Sequence, residues 1–223
     1  MPSNNVQPAF YLASQSPRRA ELLQQLGYRF QTLSVDIDES QRGNELPADF
    51  VARLAVEKAQ AGQAMRMRAA CADASAILAA DTVVVCDDVI LGKPVDEADA
   101  AQMLARLSGR THQVYTGVSL IYPDPAAAVS ANGDLPADVT DNTAVLTQNV
   151  VNKTEVSFRT ISAAEVKWYW DSGEPADKAG GYGIQGFGAI FVQRIEGSYS
   201  GVMGLPLFET SQLLQIAGIR PVT

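Results

Sequence analysis

The sequence predicts an α/β fold, because strand-like apolar runs alternate with helix-patterned segments along nearly the whole chain. No internal repeat and no clear linker breaks that alternation, so residues 1–223 read as a single domain. At 223 residues and 47% apolar composition, one continuous core needs neither a disulfide framework nor a structural metal.

The elements follow in order. Phe10 to Ala13 is a short apolar strand, running into Ser14-Gln15-Ser16-Pro17-Arg18-Arg19. The helix after it places Leu22, Leu23 and Leu26 on one face. Ser16 suits its N-cap, Pro17 its first position and Gly27 its stop. A strand is expected from Phe30 to Val35, then the acidic Asp36-Ile37-Asp38-Glu39. A long helix begins near Pro47, burying Phe50, Val51 and Leu54, with Glu57 and Lys58 near its middle. Ala76 to Cys86 reads as a buried strand, Asp87-Asp88 as a turn, and Val89 to Leu91 as the hairpin partner, closed by Gly92-Lys93-Pro94. A helix from Glu97 to Leu107 stops at Ser108-Gly109, and Gln113 to Tyr122 alternates as a strand.

Residues 123–142 lose all periodicity and are rich in Ala, Asp, Asn, Gly and Pro, which predicts a surface loop insertion. Ala144 to Thr160 is the next strand. Ser162-Ala163-Ala164-Glu165 is a capping box opening a helix whose Trp168, Tyr169 and Trp170 suit core or interface packing. Glu174 to Gly188 is a glycine-rich loop, Ala189 to Ile195 a strand, and Leu205 to Ile216 the last helix.

Charge narrows the partners. A formal charge of −8, from 25 acidic and 17 basic residues, argues against a broad nucleic-acid surface. A polyanionic ligand would have to meet local positive charge or a divalent cation. Cys71 and Cys86 are too few and too far apart for a disulfide framework or C-x-x-C, so reduced thiols are expected. The first seven residues lack the plan of a signal peptide, and no apolar run approaches the ~20 residues of a membrane helix. The expected location is the cytoplasm, with no membrane partner.

Several segments suit chemistry. Ser14 to Arg19 places two arginines where a strand meets a helix N-terminus, a site that favours phosphate, although an ordinary capped helix with solvated arginines fits the same residues. Asp81-Thr82 puts an ionisable group inside a sheet-core run, where a carboxylate must be paired, hydrogen-bonded or metal-bound. Gly181 to Gly186 matches G-x-G-x-x-G, but no strand precedes it and no helix follows, so a dinucleotide fold is excluded. A substrate loop that brings backbone close to a ligand fits better. The single histidine, His112, suits a hydrogen-bonded structural role. Acids such as Glu39, Asp81 and Asp177, beside Arg18, Arg19, Lys58, Lys93 and Lys178, fit metal-assisted attack of water on a phosphoanhydride.

Taken in order, these segments resemble the Maf family of nucleotide pyrophosphatases. The matching pieces are Ser14 to Arg19, Asp38-Glu39, Glu57-Lys58, Ala80 to Val83, Gly92 to Pro94, Ser108 to Gly117, Glu174 to Gly180, Gly183 to Gly186 and Gly204 to Leu207. The resemblance implies an elongated α/β fold, related in shape to the pyrophosphatases that act on inosine triphosphate. Its parts would be a mixed sheet, flanking helices and two lobes around a central cleft.

It also implies roles. Asp81 would be the proton acceptor, and Arg18, Thr82 and Gln185 would govern substrate choice. Ser14, Arg19, Lys58 and Lys93 would bind or support phosphate, and Asp81 with Glu39 would hold a Mg²⁺ or Mn²⁺ ion. Pro17-Arg18-Arg19, Asp81-Thr82 and Ile184-Gln185-Gly186 resemble the dTTP- and UTP-cleaving subgroup more than the sister group acting on 7-methyl-GTP. A non-catalytic septum-formation inhibitor is the alternative from another class, and a homodimer stays open.

Overall fold

The computed structural model describes residues 9–68, 75–126 and 144–222. Cys71 and most of the expected insertion lie outside them. Seven strands make one mixed sheet: β1 (Phe10–Ala13), β2 (Phe30–Leu33), β3 (Ala76–Cys86), β4 (Val89–Leu91), β5 (Thr111–Pro123), β6 (Val145–Phe158) and β7 (Val192–Glu196). The helices are α1 (Pro17–Gln25), α2 (Pro47–Arg68), α3 (Glu97–Leu107), α4 (Ala163–Asp171), α5 (Tyr199–Val202) and α6 (Leu207–Ile216). Among the described residues no helix is long and apolar enough to cross a membrane.

Most expected elements appear, and the differences have local reasons. β2 ends at Leu33 rather than Val35, where its partner β1 has run out. The expected strand from Ala189 begins only at Val192, because Phe187–Phe191 winds as a 3₁₀ turn first. Two more such turns, Glu174–Asp177 and Ala179–Gly181, give the glycine-rich loop a defined path. The short helix α5 was not expected. The Asp87-Asp88 turn holds both φ angles positive, 51° and 60°, as a two-residue hairpin turn requires. The capping box at Ser162 and Glu165 is formed.

Sheet order places the site. Strands run β2-β1-β3-β5-β6-β7, with β4 also on β3. β5 covers one edge of β3 from Ile77 to Val85. The other edge is shared: parallel β1 pairs Ala76 to Leu78, and antiparallel β4 pairs Val84 to Cys86. Between them, Ala79 to Val83 have no described strand partner on that edge. The sheet has a notch there.

The core divides at the same point. On the face toward α2, Ile77 and Ala79 join one apolar cluster while Val83 and Val85 join another. On the opposite face, Leu78 and Ala80 pack under α1 and α6, while Val84 and Cys86 pack with Leu104 and Phe158. Alternation along the strand puts Asp81 in the seam of one face and Thr82 in the seam of the other. The two polar residues of β3 occupy the places where its apolar packing changes hands.

His112 is buried, with Nε2 2.8 Å from the Tyr182 hydroxyl and its ring edge-on to Phe158. The expected structural role holds. Burial pulls its pKa from 6.5 down to about 4. Between those values the unfolded chain carries a proton that the folded chain does not, so stability falls as pH drops through that window. The loss by pH ~4.5 is about 2–3 kcal/mol. In His112→Phe, urea denaturation at pH 7 and pH 4.5 should show that pH-dependent part removed. An unchanged difference between the two pH values would mean that other groups carry it.

Candidate active site

Asp81 stands at the notch with its side chain about 10% exposed. Its Oδ1 accepts a hydrogen bond of 2.5 Å from Lys58 Nζ. Lys58 reaches it because α2 lies unusually close to the sheet. Cross-strand from Asp81 is Gly117, and a Cβ there would fall 2.4 Å from the Val51 carbonyl oxygen of α2. Lys58, two helical turns beyond Val51, then lies over the carboxylate.

Glu39 arrives from the loop before α2. The Arg53 guanidinium forks onto Glu45 at 2.6 and 2.7 Å and donates to the Ser40 carbonyl at 3.0 Å. That fork pins the loop against α2, and Lys58 Nζ pairs with Glu39 Oε1 at 2.6 Å. Burial pushes the Glu39 pKa up, but the Lys58 hydrogen bond and the charges of Lys58, Lys93 and Arg19 outweigh it, leaving the group below its ordinary value. Lys58 thus spends two of its three donors on carboxylates, leaving one for a phosphate.

The other face of β3 carries a chain of donors with one direction. Arg19 Nη2 donates to Thr82 Oγ1 at 3.1 Å. Thr116, cross-strand from Thr82, donates its only hydroxyl proton to the Gly201 carbonyl at 2.8 Å. The 2.9 Å contact between the two threonines must therefore run from Thr82 to Thr116. Thr82 is left with acceptor capacity alone.

Arg19 also donates to the Gly204 carbonyl at 2.7 Å and to Ser14 Oγ at 3.1 Å, and desolvation lowers its pKa. Ser14 Oγ takes the Ser16 N–H as well, at 3.2 Å. Ser16 stands at the expected N-cap position with Pro17 after it, but its side chain makes no cap bond. Among the described residues, no side chain caps the N–H groups of the first turn of α1.

Arg18 reaches across to Asp177, Nη1 to Oδ2 at 3.4 Å, and Lys178 Nζ holds the other oxygen of that carboxylate at 2.6 Å. Lys93 and Gln185 are exposed and have no hydrogen bond or ion pair among the described residues. All nine residues expected at the site line one cleft of about 1100 Å³. Five acids and five bases line it, so the cleft is locally neutral in a chain of charge −8. The local cations that a polyanion needs are gathered here.

Sequence reasoning missed the residues that hold this set in place. Thr116 and Gly117 take their meaning from the β3–β5 register. Arg53 gave no local signal, and Tyr169 was expected only to pack, as it does, with no sign of its hydrogen bond to Glu174. Glu174 sat in a recognised segment without a role.

Fold and site together define an α/β protein with a notched sheet and a cleft lined by five acids and five bases. The model of the Maf-like protein family matches residues 9–217, and the chain belongs to that family. It is 50% identical over 207 residues to a protein of Pseudoalteromonas translucida (strain TAC 125) named dTTP/UTP pyrophosphatase, covering 93% of this chain and 96% of that one. A protein of the same name from Vibrio cholerae (serotype O1, strain El Tor Inaba N16961) is 48% identical over 203 residues, covering 91% and 95%. A solved nucleoside-triphosphatase / dITP/XTP pyrophosphatase of Mycobacterium abscessus covers 94% of this chain and 92% of its own at 17% identity. Its TM-score is 0.34, a likeness too loose to carry an argument.

Proposed function

We propose that this cleft hydrolyses dTTP and UTP to the nucleoside monophosphate and pyrophosphate. The observation that carries the reading is Asp81, a nearly buried carboxylate opening on the notch among the gathered cations. The names of relatives about half identical over nearly their whole length supply the substrate.

Chemistry then follows from what each group can do. Water attacks the α-phosphorus and Asp81 takes its proton. The bond from that phosphorus to the α–β bridging oxygen breaks, and pyrophosphate leaves with the electron pair. Lys93, the α1 N–H groups and the remaining Lys58 donor meet phosphate oxygens. Gln185 reads uracil or thymine, its amide carbonyl taking N3–H while its NH₂ donates to O4. Cytosine reverses both groups, so the same amide orientation would set donor against donor and acceptor against acceptor. Thr82 can only accept, so it contributes a lone pair, while Arg18 is free to exchange Asp177 for a ligand.

A divalent cation fits beside Asp81. Lys58 Nζ already lies between Glu39 Oε1 and Asp81 Oδ1 as a positive group between two carboxylates. No cluster of three or more His, Cys, Asp or Glu suited to a metal occurs among the described residues. Mg²⁺ commonly needs only one or two carboxylates when phosphates complete its shell. Bound there, it would neutralise charge building on the phosphate oxygens.

A turnover panel of UTP, dTTP, CTP and GTP tests the reading. UTP and dTTP should be preferred by at least about 10² in kcat/KM, as for a site whose polar groups a mismatched ligand leaves unpaired. EDTA should abolish turnover, and Mg²⁺ or Mn²⁺ should restore it. Equal use of all four nucleotides, or full activity in EDTA, would contradict it.

A further inference from the structure

The glycine-rich turn that carries Gln185 is held by one carboxylate that accepts three hydrogen bonds, two of them from the turn. Glu174 Oε2 accepts from the Phe187 N–H at 2.7 Å. Its Oε1 accepts from the Gly188 N–H at 3.1 Å and from the Tyr169 hydroxyl at 2.7 Å. The Tyr169 oxygen in turn accepts the Gly183 N–H at 2.9 Å. Backbone donors on both sides of Gln185 therefore end on a single Glu174–Tyr169 pair.

The glycines record how closely that pair is gripped. A Cβ on Gly186 would fall 2.0 Å from Glu174 Oε2, and one on Gly188 would fall 2.6 Å from the Tyr169 hydroxyl. Neither glycine has a positive φ, so what they supply is close approach rather than backbone freedom. The clamp is itself anchored. Tyr169 is fully buried on α4, edge-on to Phe191 at 5.2 Å, and Lys178 Nζ holds the Glu174 carbonyl at 2.7 Å. Gln185, at the apex, is exposed on the cleft and bonds to nothing described. Its direction is set by the turn beneath it.

We infer that Glu174 is a positioning residue for base recognition: with Tyr169 it fixes the Gly183–Gly188 turn so that Gln185 faces the base. The inference rests on the reading of Gln185 given above. Glu174 must act as a carboxylate, since both of its oxygens only accept. Glu174→Gln sets an NH₂ group against an N–H or O–H donor in either amide orientation, and leaves a turn donor unpaired. Tyr169 does not line the cleft, so Tyr169→Phe reaches the base only through the turn.

The test measures kcat/KM for UTP and CTP, and inhibition by inorganic pyrophosphate, in Glu174→Gln, Tyr169→Phe and Gln185→Glu. Glu174→Gln should lower the UTP-over-CTP ratio by about tenfold or more, the effect of one unpaired donor. The change should appear in KM for UTP rather than in kcat, with pyrophosphate inhibition unchanged. Tyr169→Phe should move the ratio the same way by less, and decides the question if Glu174→Gln folds poorly. If Gln185→Glu loses the ratio while both clamp variants keep it, the clamp is structural only and the inference is overturned. If Gln185→Glu keeps the ratio, the reading of Gln185 fails first and takes the inference with it.

Discussion

Replacing Asp81 with Asn is expected to yield a folded protein whose turnover is lower by about 10²–10⁴, the usual cost of losing a general base. Asn keeps the shape and can still offer an oxygen to Lys58, whose second carboxylate partner, Glu39, remains in place. The apolar clusters on either side of residue 81 do not touch the change. What disappears is the ability to take a proton from water and the charge that a cation would meet. Circular dichroism and melting temperature should match the wild type while kcat collapses. A folded Asp81→Asn protein with near-normal kcat would make Asp81 a structural carboxylate paired to Lys58 and nothing more.

Gly117→Ala should be nearly as damaging, from a residue that meets no ligand. Its Cβ would sit 2.4 Å from the Val51 carbonyl oxygen and 2.7 Å from the carbonyl carbon. Both are backbone atoms of a helix, so no side-chain rotation relieves the clash. Overpacking of this kind costs about 1–3 kcal/mol. Relief requires α2 to lift from β5, carrying Lys58 away from Asp81. A misplacement of about 1 Å at a reacting centre can cost 10²-fold in rate. The variant should therefore lose both melting temperature and kcat. A stable Gly117→Ala protein with unchanged kcat would show that the close approach of α2 is not what sets the Lys58–Asp81 pair.

These two residues also show where sequence reading stops. Asp81 stood out because a charge inside an apolar run demands an explanation from the run itself. Gly117 sits in a run where glycine breaks no pattern, and its meaning appears only when β3 and β5 pair and α2 comes down on them. α2 was readable from the spacing of Phe50, Val51 and Leu54, and β3 from its unbroken apolar run. The notch was not, because it depends on two different strands sharing one edge of β3.

Hydrogen-bond direction was equally hidden. Thr82 gives its proton to Thr116 only because Thr116 gives its own to the Gly201 carbonyl, a direction that residue types alone do not fix. Ser16 takes the N-cap position that its sequence marked, yet its hydroxyl caps nothing, because residue type does not fix where a side chain points. The Glu174–Tyr169 clamp joins a helix to a loop across several turns, and its glycines resembled a nucleotide motif that the element order excluded.

Product analysis of UTP turnover tests the central claim most directly. Purified protein is incubated with UTP and Mg²⁺, and the products are resolved by anion-exchange chromatography with pyrophosphate and orthophosphate assayed separately. Cleavage between the α and β phosphates predicts UMP and pyrophosphate in equal amounts from the earliest time points. UDP and orthophosphate as the main products would contradict it.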